Sequence, residues 1–269
     1  MPATTSQSEK PAAVSPRRRS SLLIVAHGER GGAGEDRLTK DLVERLRNRG
    51  RFEAVAAGFI RSRPSVSEAC DGLPDGPVRV YPLFMSAGYY VATAIPRDLG
   101  IGDDGRDGRG RPITIMRSLG LHPRLPAMIA DLAAAGASAA ALDAFATTVL
   151  LVAHGSSKDD ASRQAALAVA TEIEREGRFA RVETAFLEEP PFVDDALRTV
   201  PGPAVVVGLF VGEGMHGGED LPQAVEKSGR VDLVLGEPLG RSDALIALIC
   251  EDAEQGHMAL SKAADAGIG

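Results

Sequence analysis

Three side chains that can bind a divalent metal follow three strand-like segments in the second half of this 269-residue chain. His154 comes directly after one apolar run, Glu188 directly after a second, and His216 stands in the segment after a third. Two imidazoles and one carboxylate suit first-row divalent metals and leave positions open for a substrate. Asp220 follows His216 at helical spacing, from which its carboxylate could orient the imidazole. The pattern predicts one metal site at the ends of neighbouring strands.

The segments that must position these residues alternate between strand-like and helix-like patterns. Strands are predicted at residues 22–26, 52–58, 78–81, 113–116, 148–153, 182–187, 204–211 and 231–235. Residues 161–176 have apolar side chains at helical spacing, which are Ala165, Leu167, Val169 and Ile173. Unbroken apolar strands that alternate with helices indicate parallel sheets covered on both faces, whose ligands bind beyond the carboxyl ends of the strands.

An internal repeat relates the two halves of the chain. His27-Gly28 ends an apolar run, and the same pattern returns 127 residues later as His154-Gly155. Phe59 and Phe186 belong to a second pair of segments with the same offset. We therefore predict two tandem doubly wound, flavodoxin-like α/β domains related by duplication. Their boundaries are a disordered tail at 1–20, a first repeat at 21–140, a second repeat at 141–257 and a flexible tail at 258–269, with a helical connection at 125–145.

Composition excludes several classes of function. A net charge of −7 argues against binding to nucleic acid. With 8 Phe, 3 Tyr and no Trp, the chain also has few aromatic side chains on which nucleic acid bases could stack. No apolar run approaches the roughly 20 residues that cross a bilayer. Cys70 and Cys250 are too few for a disulfide framework or a cysteine zinc site, which favours a reducing compartment. We expect a cytoplasmic protein, because the apolar run after Arg19 is too short for a signal peptide.

These motifs resemble a known enzyme family. His154-Gly155-Ser156, then Phe186-Leu187-Glu188, then the segment from Gly214 to Pro222 with His216 and Asp220, are similar to the class II tetrapyrrole chelatases of the CbiX/SirB type. The resemblance implies two chelatase-like domains around an open cleft. It also implies insertion of cobalt or iron into sirohydrochlorin or a related tetrapyrrole, for cobalamin or siroheme biosynthesis. It assigns metal binding and catalysis to His154, Glu188 and His216. The metal is then a substrate, no organic cofactor is needed, and a monomer suffices because one chain holds both halves.

The first half departs from the family pattern. His27 is kept, but Arg61 stands at the position of Glu188, Tyr90 at that of His216 and Ala94 at that of Asp220. One ligand of three cannot hold a divalent metal, so we expect a single catalytic site in the second half. Two-half members of the family often have their site in the first half.

Substrate contacts are expected from the first half, since sirohydrochlorin is a polycarboxylate and the protein is acidic. The candidates are His27, Arg61, Arg63, Tyr90 and, from the second half, Ser156, with Arg97 also near the predicted strand ends. The glycine-rich segment 100–111 is expected to be an exposed, mobile flap whose arginines meet substrate carboxylates. Those arginines are Arg106, Arg109 and Arg111.

Two alternative functions remain open. The protein could be a non-catalytic carrier of metal or tetrapyrrole, which would bind cobalt or iron without turnover. It could also use nicotinamide, because Gly212 to Gly217 matches G-x-G-x-x-G after a predicted strand, although Pro222 leaves little room for the long helix of that motif. Structural roles are expected for His122 and His257, while Glu189 is expected to face solvent or cap the next helix.

Overall fold

The computed structural model describes residues 19–28, 36–86, 88–156, 160–211 and 220–255. The first repeat contains β1 Ser21–Ala26, α1 Arg37–Asn48, β2 Val55–Phe59, α2 Val66–Asp71, β3 Val78–Pro82, a π-helical turn Tyr90–Ala94, α3 Ile95–Asp98, β4 Ile113–Ile115 and α4 Leu125–Ala139. The second contains β5 Thr148–Ala153, α5 Ala161–Glu176, β6 Arg181–Phe186, α6 Val193–Thr199, β7 Ala204–Gly208, α7 Asp220–Lys227, β8 Leu233–Leu235 and α8 Asp243–Gln255.

The strands form two parallel four-stranded sheets with the same order. The first sheet is ordered β2-β1-β3-β4 and the second β6-β5-β7-β8. Every residue of β1 and of β5 is buried, as expected for central strands covered on both faces. The predicted fold of two duplicated, doubly wound α/β units is therefore confirmed. The strand order reverses between β1 and β3 in the first sheet and between β5 and β7 in the second, and such a switch point is where these folds bind ligands.

The repeat extends to fine details of the backbone. Ala26 pairs with Phe59 at the end of β1 and β2, and Ala153 pairs with Phe186 at the end of β5 and β6. Gly28 and Gly155 adopt positive φ angles of 76° and 73°, and the peptide bonds before Pro64 and Pro191 are both cis. The loops after the central strands thus follow the same path in the two repeats, even where their side chains differ.

The last helix of each repeat packs against the other repeat. Helix α4 contacts α5, β7 and β8, and a Cβ at Gly136 would lie only 3.2 Å from Val205 Cγ1. Helix α8 contacts α1, where Arg45 Nη2 is 2.9 Å from Asp243 Oδ1. Buried side chains of both repeats accordingly belong to one continuous apolar core.

A buried hydrogen bond ties α8 to the first repeat. His122 Nδ1 accepts from the Arg124 amide at 3.1 Å, so Nε2 is free to donate to Asp252 Oδ1 at 3.0 Å. Both side chains are nearly fully buried, 6% and 4% exposed. The structural role expected for His122 is confirmed.

Asp252→Ala is expected to lower the free energy of unfolding by roughly 1–3 kcal/mol, because the His122 N–H would stay buried without its acceptor. Urea titration followed by circular dichroism measures this loss. The matched control is Glu251→Ala, whose exposed pair with Arg124 should contribute no more than about 1 kcal/mol. Equal effects of the two substitutions would contradict the interpretation.

Several predicted element bounds are wrong by a few residues. Strand β2 begins at Val55 instead of 52, and β7 ends at Gly208 instead of 211. Val231 is fully exposed, outside β8. On α5 the buried stripe is Ala166, Val169, Ala170 and Ile173, whereas Leu167 is 38% exposed. Successive residues of a helix are rotated by about 100° around its axis. Leu167 follows the buried Ala166 by one residue and therefore lies off the buried face.

The interpretation of segment 100–111 as a flap over the substrate is wrong. The segment leads from α3 into β4, and Val78 at the start of β3 donates to Pro112 O at 2.9 Å. It therefore lies at the amino-terminal edge of the sheet, opposite the expected site. Arg111 is buried and bonds Asp107, Cys70 O and Leu73 O, while Arg109 bonds Asp71 O. These arginines hold the segment on α2.

Both cysteines are structural. Cys70 and Cys250 are free and buried, and burial raises the pKa of each thiol. Neither is therefore suited to act as a thiolate ligand or nucleophile at neutral pH.

Among the described residues, no helix is long and apolar enough to span a membrane.

Candidate functional site

The candidate ligands of the second repeat follow three of its strands along the chain. His154 directly follows β5, Glu188 comes two residues after β6, and His216 lies in the segment after β7. The structure places these strands side by side in the order β6, β5, β7. The predicted adjacency of the three strands is confirmed, and their carboxyl ends meet at the switch point of the sheet.

His154 and Glu188 lie next to each other at this edge. The distance between His154 Nδ1 and Glu188 Oε2 is 3.8 Å, and the side chains are 43% and 40% exposed. Nδ1 is also 3.2 Å from Gly155 O. A separation of 3.8 Å is too long for a hydrogen bond. A carbonyl oxygen can only accept, so Nδ1 carries the hydrogen in its contact with Gly155 O, and Nε2 is the nitrogen with a lone pair for a metal. The pair is accessible to solvent, with a carboxylate beside the imidazole.

A backbone bond holds the two loops together. The Glu188 amide donates to His154 O at 3.0 Å, which fixes the loop after β6 on the loop after β5. Gly155 then turns the chain with a φ of 73°. A Cβ there would lie 2.8 Å from Glu189 Cγ and 3.0 Å from Phe186 Cβ. Both the backbone angle and the lack of space require glycine at this position.

Gly155→Ala should therefore displace His154 from Glu188. We expect a loss of stability of about 1–3 kcal/mol from the strained backbone, together with weaker Co²⁺ binding. Chemical denaturation and calorimetric titration with Co²⁺ measure the two effects. Gly177, at the end of α5, offers a control, because it has a φ of 63° but nothing within 4 Å of an added Cβ. Gly177→Ala should lower stability and leave Co²⁺ affinity intact; a Gly155→Ala protein with unchanged Co²⁺ affinity would contradict the argument.

The sequence predicted that Glu189 faces solvent or caps the next helix, and both expectations are wrong. Its side chain is only 12% exposed and pairs with Arg163 of α5. Its Oε1 accepts from the Ser156 amide at 3.2 Å. Ser156 thus contributes its backbone to the same loop cluster. The sequence contained no sign of this pair, because Arg163 and Glu189 lie far apart along the chain.

Three of the predicted features lie outside the described residues. They are the imidazole of His216, the loop from Gly212 to Gly217, and His257. Asp220 is the first residue of α7, and its side chain likewise falls outside the described part. The described part of helix α7 has 8 residues, which is shorter than the long helix that a nicotinamide-binding loop opens. Within the described residues, no group of three or more His, Cys, Asp or Glu side chains could hold a metal.

The first repeat brings the counterpart residues together as well. The His27 and Tyr90 rings meet edge to face with centroids 5.3 Å apart, and Arg61 Nη2 donates to the Tyr90 hydroxyl at 3.0 Å. Arg63 instead pairs with Glu68 on α2, with its side chain 81% exposed. An aromatic and cationic group therefore occupies the place where the second repeat has His154 and Glu188.

Two further aromatic residues join this group. Phe84 stacks on Tyr90 with centroids 6.0 Å apart, and Tyr89 contacts Tyr90 at 5.9 Å. Tyr89 is 60% exposed, and its hydroxyl is 3.4 Å from Arg97 Nη1. Tyr90 was predicted from the sequence as a substrate contact, whereas Phe84 and Tyr89 were not. The signal was present, since this edge segment holds two of the three tyrosines in a chain poor in aromatic residues.

Comparison with known proteins identifies the family. The family model CbiX matches residues 21–135 and 148–256, so both repeats are covered. The chain belongs to the CbiX family. The resemblance predicted from the sequence motifs is confirmed.

Relatives and solved structures agree with this membership. A probable sirohydrochlorin cobaltochelatase of Halobacterium salinarum is 29% identical over 222 residues, which are 76% of this chain and 75% of that protein. The structure of a CbiX described as the terminal enzyme for biosynthesis of siroheme in denitrifying bacteria has a TM-score of 0.70 at 27% identity, covering 90% of this chain and 100% of that one. The chelatase SirB from Bacillus subtilis in complex with cobalt has a TM-score of 0.65 at 15% identity, covering 89% and 95%, and shares the fold.

Proposed function

We propose that this protein inserts a divalent metal, cobalt or iron, into sirohydrochlorin, as a step towards cobalamin or siroheme. The observation that carries the proposal is the adjacency of His154 and Glu188, with 3.8 Å between Nδ1 and Oε2 and both side chains open to solvent. An imidazole and a carboxylate at a switch-point edge form a partial ligand set for a first-row metal. Membership of the CbiX family and similarity to a probable sirohydrochlorin cobaltochelatase support the choice of substrate.

His216 is proposed as the third ligand. The repeat matches His216 with Tyr90, and the Tyr90 ring lies 5.3 Å from His27, the counterpart of His154. The order β6, β5, β7 is also the order of β2, β1, β3, which supports the same arrangement in both repeats. Asp220, at the start of the helix that follows, is proposed to orient His216 through a hydrogen bond.

Each residue has a chemical task in this proposal. Metal insertion removes two protons from pyrrole nitrogens and replaces the ligands of the metal with four nitrogens of the macrocycle. An imidazole that has released the metal has a free lone pair, so His154 or His216 could accept these protons after the metal has moved to the macrocycle. Glu188 supplies a negatively charged oxygen ligand that offsets the charge of the arriving metal. We place this chemistry in the second repeat alone, because Arg61 and Tyr90 replace two of the ligands in the first.

The first repeat is proposed to bind the macrocycle through the group formed by His27, Arg61, Phe84, Tyr89 and Tyr90. Aromatic faces suit a flat conjugated ring. The Arg61 guanidinium, oriented by the Tyr90 hydroxyl, suits a carboxylate. This assignment explains why cationic and aromatic side chains occupy the degenerate positions.

Arg61→Gln is expected to raise the KM for sirohydrochlorin roughly tenfold with little change in kcat, because the lost carboxylate contact is equally strong in ground and transition states. Steady-state kinetics at varied sirohydrochlorin concentration measure the split. Arg106→Gln is the control, since Arg106 lies in segment 100–111 at the opposite edge and bonds Gly110 O. A KM that changes equally in both variants would contradict the assignment.

The test of the function itself is metal insertion by the purified protein. Sirohydrochlorin is mixed with Co²⁺, Fe²⁺ or Ni²⁺, and the absorption spectrum of the macrocycle is followed with and without protein. We expect faster insertion of Co²⁺ or Fe²⁺ in the presence of the protein. Binding of metal without any acceleration would instead indicate a carrier.

A further inference from the structure

Two adjacent carboxylates lie in the loop after β6, but they have opposite surroundings. The Glu188 side chain is 40% exposed beside His154, whereas the Glu189 side chain is 12% exposed. Glu189 lies against the loop after β5 that carries His154, since a Cβ at Gly155 would be 2.9 Å from Glu189 Oε1. A second potential metal ligand therefore lies at the edge of the proposed site, turned into the protein.

Arg163 holds Glu189 in that position. Its Nε donates to Glu189 Oε2 at 2.8 Å, and its Nη2 is 2.8 Å from the same oxygen. Two further contacts hold the guanidinium of Arg163. Nη2 also donates to Pro190 O, and Cζ lies 4.6 Å from the centre of the Phe186 ring. With Oε1 bonded to the Ser156 amide, both carboxylate oxygens of Glu189 have donors.

The first repeat shows that the loop does not need this ion pair to keep its shape. The counterpart of Glu189 is Ser62, and a Cβ at Gly28 would lie 2.3 Å from Ser62 Oγ. The counterpart of Arg163 is Asp36, which caps α1 by accepting from the Thr39 amide at 2.9 Å. A small neutral residue thus fills the same place under a loop with the same φ. The charged pair occurs in the repeat that carries His154 and Glu188.

We propose that Arg163 is a positioning residue that withholds Glu189 from the metal, so that Glu188 is the carboxylate presented to it. The inference rests on the proposed function, in which the metal is a substrate that must leave the site. Metal affinity rises with the number of charged ligands, so a second carboxylate would retain the ion and slow its transfer. The Arg163–Glu189 pair keeps affinity at a level that allows release to the macrocycle.

The test uses the full chain and Co²⁺ alone, by calorimetric titration. Arg163→Met keeps an aliphatic side chain against Phe186 and removes the charge that holds Glu189, so we expect Co²⁺ to bind on the order of tenfold more tightly through the added carboxylate. Arg163→Met combined with Glu189→Gln should return to the affinity of the unchanged protein, and Arg163→Lys should stay close to it. In the insertion assay, Arg163→Met should have a lower kcat at saturating sirohydrochlorin.

Unchanged or weaker Co²⁺ binding by folded Arg163→Met would overturn the proposal. If that variant does not fold, Glu189→Gln alone decides. The proposal requires it to keep Co²⁺ stoichiometry and affinity, and weakening as strong as that caused by Glu188→Gln would make Glu189 a ligand. Glu188→Gln separates a failure of the proposed metal site from a failure of the proposed role of Arg163. If it leaves Co²⁺ binding unchanged, the proposed metal site itself fails, whatever the Arg163 variants show.

Discussion

Replacing His154 with Ala should lower the rate of metal insertion by roughly 10²–10⁴-fold, the usual contribution of a group that transfers protons. In the proposed site this imidazole is also a metal ligand, so Co²⁺ affinity should fall together with the rate. Stability should change little, because the side chain is 43% exposed and lies outside the apolar core. Insertion rates, Co²⁺ titration and thermal denaturation of the purified variant measure the three effects.

His27→Ala is the matched control, because the duplication gives His27 the same position after its central strand. His27 contacts the rings of Tyr90 and Phe84, with centroids 5.3 and 6.4 Å away. Its loss should affect substrate affinity more than turnover and leave Co²⁺ stoichiometry intact. If His27→Ala were inactive while His154→Ala retained activity, the site would belong to the first repeat.

Glu188→Gln should weaken Co²⁺ binding by at least about tenfold. Glutamine has nearly the same size and keeps a carbonyl oxygen, but it lacks the negative charge that offsets the charge of the metal. Because Glu188 is 40% exposed, the substitution should not unfold the protein. Calorimetric titration with Co²⁺ gives the change in affinity, and the insertion assay gives the accompanying loss of rate.

The control for charge is Glu174→Gln on α5. Glu174 is exposed, and its replacement removes the same charge from the same repeat. Its Co²⁺ affinity should equal that of the unchanged protein. A similar loss in both variants would mean that overall charge, not coordination by Glu188, determines the affinity.

The features that the sequence predicted depend on short local patterns and on their repetition along the chain. His27-Gly28 and His154-Gly155 end strands in the same way, so the offset of 127 residues predicted matching loops, and the φ angles of Gly28 and Gly155 agree with it. Apolar runs predicted the buried central strands. The adjacency of His154 and Glu188 followed from a general property of parallel sheets, whose strand ends meet at one edge.

The features that the sequence did not predict depend on contacts between distant segments. The apolar face of α4 shows that the helix is buried but not that it packs on the sheet of the other repeat. Glu189 was expected to face solvent or cap the next helix, because its partner Arg163 lies on another element. The arginines of segment 100–111 read as free for a substrate, whereas Arg111 is buried against Asp107 and the end of α2. Side-chain direction and tertiary partner cannot be derived from local spacing.

The most direct test of the account is to locate the metal. Crystals of the full chain soaked with Co²⁺ would be measured at the cobalt absorption edge, and the anomalous difference map would show where the ion binds. We expect one peak in the second repeat, about 2.0–2.2 Å from an imidazole nitrogen of His154 and a carboxylate oxygen of Glu188, with none at His27. A peak between His27 and Tyr90, or one coordinated by Glu189 in place of Glu188, would contradict it.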